Sequence, residues 1–217
     1  MCEPFMRNHQ YNSIIKQLGI LQHTLRTVTD RKVVSSVRSG TEEHIASLLP
    51  DSAEGRKRLL EDVSRLETAD DFRRYAALLE PYREEFPRVT KEQLLKLFPK
   101  NKKLKIPDLA SLDYRNISYL SWVDIAANKL FLVYPLDGRL VGVEGRFTST
   151  HKKNYCFVCN RFEELALFTA ITKKRPAFAS PDYYKAVGNY LCLDGHVCNN
   201  NMTDTEALER FIRTVIE

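Results

Sequence analysis

Apolar positions in the first ninety residues recur at helical spacing, as in Tyr11, Ile14, Ile15, Leu18, Leu25 and Val28, with polar residues between them and few glycines. The pattern predicts helices over about 9–28, 31–38, 41–49, 55–66 and 70–80, broken at Thr29-Asp30, Ser39-Gly40 and Pro50-Asp-Ser-Ala-Glu-Gly55. Connections this short favour a compact antiparallel bundle. Phe86-Pro87 reads as a boundary, because the residue before a proline is pushed out of the helical region. Thr90-Lys-Glu-Gln93 is a capping box that opens one further short helix through Phe98.

Beyond that point the pattern changes. Ser118 to Asn128 carries Tyr119, Trp122, Val123 and Ala126 on one side of a predicted helix, with Trp122 in the core. Leu130–Tyr134 and Leu140–Val143 flank Asp137-Gly138, a hairpin signal. Further strands are expected over 155–157, 165–171 and 187–191. A last helix, Thr205 to Ile216, opens with Thr203-Asp-Thr-Glu206 as its capping box and carries Leu208, Phe211, Ile212 and Val215 at i, i+3, i+4 and i+7. The expected architecture is α+β, with a helical bundle over 1–88 and a mixed α/β domain over 89–217.

The chemistry lies in two short cysteine pairs, Cys156-Phe-Val-Cys159 and Cys192-Leu-Asp-Gly-His-Val-Cys198. A Cys-x-x-Cys turn presents two thiolates from one tight hairpin, so the fold has only to bring in the second pair to complete a tetrahedral zinc shell. The expected knuckles span 155–160 and 191–199. Asp194-Gly195 supplies the turn in the longer loop. His196 is a rival fourth ligand to Cys198, although the full set of cysteines favours Cys198. A hairpin knuckle followed by a second pair at the start of the final helix resembles a treble clef, and the positive end of that helix would soften the net charge of about −2 left by four thiolates around one divalent cation. Four cysteines close the shell, whereas a catalytic zinc keeps an open position for water, so hydrolysis by the metal is not expected. A thioredoxin-like redox pair is disfavoured because no βαβ unit surrounds Cys156 and Cys159.

Composition narrows the picture further. At 217 residues, 43% hydrophobic and 28% charged, the chain is long enough to bury a core in two compact units. It has no long uncharged apolar run and begins without the apolar stretch of a secretory signal, so a cytoplasmic protein away from membranes is expected. Cys2 is left without a partner, which fits a reducing compartment. The net charge of +5 is matched by one segment, Lys91–Lys105, which holds six lysines against one glutamate. Residues 151–217 carry nine Lys or Arg against eight Asp or Glu, which argues against a zinc module built to neutralise phosphates. Lys100–Lys105 reads either as a solvated linker or as a contact for RNA or an acidic partner face; lacking interleaved aromatics, any RNA contact would be weak, nonspecific and salt-sensitive. The five histidines are scattered, and neither a P-loop nor Gly-x-Ser-x-Gly is present, so a binding protein is expected and not an enzyme.

Several segments together resemble the FusB-type fusidic acid resistance proteins, which bind translation elongation factor G. They are His9-Gln-Tyr-Asn12, Lys102-Lys-Leu-Lys-Ile-Pro107, Ser121-Trp-Val-Asp-Ile-Ala126 with Asn128, Tyr155-Cys-Phe-Val-Cys159, and Tyr190-Leu-Cys192 through Cys198. The resemblance runs nearly end to end, and the two cysteine-bearing segments are the specific ones. It implies a helical N-terminal bundle, a treble-clef-like four-cysteine zinc domain, and a monomeric factor that docks on elongation factor G and promotes its release from the ribosome, including when fusidic acid has locked it there. It also implies partner contacts through aromatic and basic side chains near the metal, here Tyr155, Tyr190 and Phe211. Val187 stands where relatives often carry a basic residue, and Lys185 is the nearest substitute. From periodicity alone Phe211 reads as core, and Tyr155 and Tyr190 read equally as strand residues packed around the metal.

Overall fold

The computed structural model describes residues 4–51, 56–173, 177–178, 180 and 183–216. The helical period of the first third is realised in α1 (Asn8–Thr27), α2 (Arg31–Leu48), α3 (Arg56–Ser64) and α4 (Ala69–Leu79), followed by a 3-10 turn at Glu80–Tyr82. Start signals in the sequence do the local work. Asp30 caps α2 by accepting from the Lys32 N–H at 2.8 Å, and Thr68 and Asp71 form a reciprocal capping box at α4. Ile14, Leu18 and Leu21 of α1 bury against Ile45, Leu59, Val63, Phe72, Tyr75 and Leu79.

The expected break at Ser39-Gly40 is absent, and α2 runs through it. A glycine inside a helix costs only about 1 kcal/mol. Continuity is what positions Arg38, whose guanidinium donates to the carbonyls of Val63 and Ser64 at the end of α3 and of Leu66 just past it, and it keeps Thr41 and Ile45 on the buried stripe. Cys2 and residues 52–55 lie outside the described residues.

The chain divides between Glu85 and Phe86 into two compact units. The second begins with α5 (Lys91–Leu97), whose Thr90–Gln93 capping box forms as predicted. It then builds a five-stranded antiparallel sheet in the order β1-β2-β3-β4-β5: β1 (Leu120–Asp124), β2 (Lys129–Leu136), β3 (Arg139–Tyr155), β4 (Phe162–Ile171) and β5 (Ala186–Leu191). Two helices close it, α6 (Gly195–Asn201) and α7 (Glu206–Ile216). The Asp137-Gly138 turn joins β2 to β3 with both residues at positive φ, 50° and 74°, as a type I′ hairpin requires.

The segment predicted as a helix over 118–128 is instead strand β1 and a turn. Tyr119 and Val123 face one core, with Leu130, Leu132, Tyr134 and the α7 residues, whereas Leu120 and Trp122 face a second, with Phe98, Phe131 and Val133. Because both faces of the sheet are covered here, β1 shows no polar alternation, and its apolar positions fit a helical period by coincidence. Trp122 stacks on Phe131 at 5.1 Å and meets Phe98 edge-on at 5.7 Å, so its burial arises on a strand and not on a helix. Asp124 ends β1 by accepting from the Ala126 and Ala127 N–H groups, and Asn128 takes the left-handed conformation that reverses the chain.

Candidate metal centre

Strands β3 and β4 run past the body of the sheet and meet in the turn that carries the first cysteine pair. A register shift between Ser149 and Lys153, with His151 at positive φ, re-aims the end of β3 toward it. The turn closes on itself: the Asn160 N–H donates to the Cys156 carbonyl at 2.8 Å, and the Cys156 N–H donates to the Arg161 carbonyl at 2.9 Å. Asn160 sits at φ 54°, a conformation asparagine tolerates better than most side chains. A third bond, from the Phe157 N–H to the Tyr190 carbonyl at 2.9 Å, pins this knuckle to β5.

The second pair straddles the start of α6. Cys192 follows β5, and Cys198 lies on α6, whose cap is Asp194, accepting from the His196 and Val197 N–H groups at 2.8 and 3.3 Å. The helix that begins beside the cysteines is therefore α6 and not the final helix, which corrects the sequence reading; the chain needs only seven helical residues to place Cys198, and α7 starts separately at Glu206. At α7 the Asp204 carboxylate accepts from the Glu206 N–H at 3.2 Å.

All four sulfurs converge. Cys156 Sγ lies 3.8 Å from Cys198 Sγ, Cys159 Sγ lies 3.7 Å from Cys192 Sγ, and the whole set fits within 4.8 Å. Zinc bonded to four sulfurs at about 2.3 Å in a tetrahedron places them about 3.8 Å apart, so the donor set matches a closed structural zinc shell. The thiols are buried, and their mutual hydrogen bonds pull Cys156 far below the ordinary thiol range, through Cys159 first, and push Cys198 far above it, through Cys156 first. A divalent cation resolves that conflict by stabilising all four thiolates at once. His196 is exposed and its ring pairs with Asn200 Nδ2 at 3.2 Å, so it stands outside the donor set. The metal would supply cross-linking of the β3–β4 turn to the β5–α6 junction, and the closed shell leaves it no position for a substrate.

The residues expected to meet a partner separate into exposed and buried. Tyr155, 59% exposed at the end of β3, pairs with Phe162, 52% exposed, at 5.1 Å between rings. Tyr190 is 42% exposed on β5. Lys185 is exposed just before β5, its carbonyl accepting from the Thr172 N–H at 2.8 Å. Phe211 is a core residue at 4% exposure, wedged against Phe157 at 5.3 Å and Phe168 at 5.7 Å. It nevertheless forms part of the floor of an open groove of about 320 Å³ between β5 and α7, with Phe157, Val187, Asn189 and Arg210. Phe157, Phe162 and Arg210 were missed by sequence reasoning; the first lay inside the cysteine motif and was read only as a spacer.

Comparison with known proteins agrees with this geometry. Residues 5–87 match the family described as elongation factor G-binding protein, N-terminal, and residues 97–213 match the FBP C-terminal treble-clef zinc finger. Among solved structures the chain is similar to the fusidic acid resistance protein FusC, at 25% sequence identity and a TM-score of 0.82 over 97% of each chain. No curated protein matches it in sequence. Among the described residues, no helix is long and apolar enough to cross a membrane.

Proposed function

The chain belongs to the family of elongation factor G-binding proteins that carry the FBP C-terminal treble-clef zinc finger, and on that premise we propose that it docks on ribosome-bound elongation factor G and promotes the factor's release, giving or supporting resistance to fusidic acid. The observation that carries this reading is the match of both halves of the chain to that family, with exposed Tyr155 and Tyr190 beside its four-cysteine cluster. It acts as a monomeric cytoplasmic binding factor and not as an enzyme. Release follows if the protein binds more tightly to the conformation of the factor that leaves the ribosome, because a ligand shifts an equilibrium only by its differential affinity.

Docking uses Tyr155 and Tyr190 as rigid aromatic anchors, Lys185 as a cation at the rim, and the Phe157–Phe211 groove as the surface between zinc knuckle and last helix. Phe211 contributes from the floor of that groove, by holding Phe157. Val187 takes the place of a cation in the groove wall, so the contact there is apolar.

Calorimetric titration of the protein into purified elongation factor G, at low and then moderate salt and without ribosomes, tests the reading. One-to-one binding that survives salt is expected, and Tyr190→Ala should weaken it at least tenfold without changing the melting temperature. Unchanged affinity after truncating Tyr155, Tyr190 and Phe211 together would overturn the assignment of this face. A second reading, a zinc-stabilised protein that binds ribosomal RNA without touching the factor, draws on the lysine surplus of 91–105, where Lys102 and Lys103 are exposed. It requires binding to ribosomal RNA that collapses as salt rises and no heat with the factor.

A further inference from the structure

The sheet has two edges, and the chain treats them differently. At the β1 edge, α6 lies so close that a Cβ on Gly195 would fall 2.3 Å from Ser121 Oγ. Asn199 takes the backbone groups beside it, accepting from the Ser118 and Tyr119 N–H groups at 2.6 and 3.1 Å and donating to the Tyr119 carbonyl at 2.9 Å. At the other edge, β5 (Ala186-Val-Gly-Asn-Tyr-Leu191) holds neither a charge nor a proline, two of the devices that ordinarily keep an exposed edge from pairing.

Two bonds show which backbone groups of β5 face outward. The Lys185 carbonyl accepts from the Thr172 N–H on the β4 side, and the Tyr190 carbonyl accepts from the Phe157 N–H on the outer side. Backbone direction alternates along an antiparallel strand, so Ala186, Gly188 and Tyr190 all point outward. Among the described residues, Phe157 is the one backbone partner on that side, which leaves open the N–H and carbonyl of Ala186 and of Gly188 and the N–H of Tyr190. Ala186 and Gly188 are both exposed, and a glycine in mid-strand lets another backbone approach closely.

Side chains of β5 alternate in turn. Val187 and Asn189 line the groove with Phe157, Arg210 and Phe211, so Tyr190 faces the opposite side of the sheet, with Ala186 and Gly188. A partner resting on one face would reach either the groove or Tyr190. A strand laid along the edge reaches both, because its own side chains alternate between the two faces. We propose that β5 is a strand-addition site: an extended segment of elongation factor G continues the rung begun by Phe157, pairs with Gly188 and Ala186, and places an apolar side chain in the groove and a carboxylate at Arg210. This rests on the reading that the protein docks on that factor. The carboxylate follows from charge, since Arg210 is the only charged residue among the described ones that line the groove, and Lys185 stands exposed at the head of the strand. Arg210 pairs with Glu206 at 2.9 Å, but both side chains are largely exposed, and so open a pair holds the guanidinium weakly.

The test is amide hydrogen exchange resolved to single residues, on the full chain alone and with purified elongation factor G. Alone, the amides of Ala186, Gly188 and Tyr190 should exchange much faster than those of Val187 and Asn189, which bond to β4; with the factor they should slow by at least about tenfold. A complex that forms and leaves these amides unchanged overturns strand addition while the docking reading stands. Absence of any complex overturns the docking reading and this proposal with it. Slowing in the free protein that grows with its own concentration would give the edge to a second copy and overturn the factor as its occupant. Ala186→Pro separates pairing from simple cover: the lost N–H faces outward, so the ladder to β4 is kept, and the factor should bind on the order of tenfold more weakly at an unchanged melting temperature. Unchanged affinity sinks the pairing. Should that variant fail to fold, Arg210→Glu takes its place, with binding weakened about tenfold as the expected result and undiminished binding as the one that overturns the assigned occupant.

Discussion

Truncating Asn199 to alanine removes the side chain that joins the zinc helix to the sheet edge. Three backbone groups lose this partner: the N–H groups of Ser118 and Tyr119 and the Tyr119 carbonyl, all within buried or half-buried surroundings. The Gly195 carbonyl loses less, being inside α6. An orphaned buried group costs about 1–3 kcal/mol, and water reaching the space left by the amide brings each toward the lower end, so the expected loss is about 3 kcal/mol. For a cooperative unit of this size that is a fall of roughly 10 °C in melting temperature.

Trp122 makes the assay selective. It is the only tryptophan in the chain and stacks on Phe131 in the second unit, so its fluorescence follows the zinc-bearing domain and not the helical bundle. Asn200→Ala, one residue on and exposed, is the control and should stay within about 0.5 kcal/mol of wild type. Asn199→Asp keeps the acceptor for both N–H groups but turns a carboxylate toward two carbonyls, so it should not restore stability. If Asn199→Ala melts within about 2 °C of wild type on the Trp122 signal, the reasoning that four converging hydrogen bonds secure α6 to β1 is wrong.

Cys159→Ser, or removal of metal by a chelator, should unfold the region around the four cysteines and abolish factor binding while far-UV circular dichroism retains the signal of α1 to α4; a metal-free protein that still binds would show the docking face to be independent of zinc. The Asp71 carboxyl is held well below the usual carboxylate range, first by the Thr68 hydroxyl, then by the Thr68 N–H and by Arg74. A depressed folded pKa contributes stability that is present above the unfolded value of about 4 and is lost as pH falls below it. Asp71→Asn should therefore lower the urea midpoint of the helical signal at neutral pH, and the gap to wild type should narrow progressively as pH falls below about 4; an offset independent of pH would refute the ionic origin.

How much of this was legible in the chain depends on the range of the interactions. Capping boxes at Thr68 and Thr90, the Asp137-Gly138 hairpin and the Cys156–Cys159 knuckle are each decided within a few residues, by side chains that bond their own backbone or by turns that need positive φ. So are the two short cysteine pairs, whose four sulfurs cluster in the fold while His196 lies outside them. The floor position of Phe211 was visible in its i, i+3, i+4 spacing, because α7 presents one apolar stripe to one core.

The sequence by itself determined the helical first unit, the four-cysteine cluster and the family to which the chain belongs, because these rest on local bonds, on period and on four cysteines in two short pairs. Tertiary structure alone decided that 120–124 is a strand, that α2 runs unbroken through Gly40, that the zinc helix is α6 and not α7, and that Asn199 and Tyr119 join that helix to the sheet. Burial on both faces erases the polar alternation that marks a strand, and a cost of about 1 kcal/mol for one glycine is outweighed by the contacts a continuous helix makes. Hydrogen bonds between residues 80 positions apart leave no periodic trace for a sequence to display.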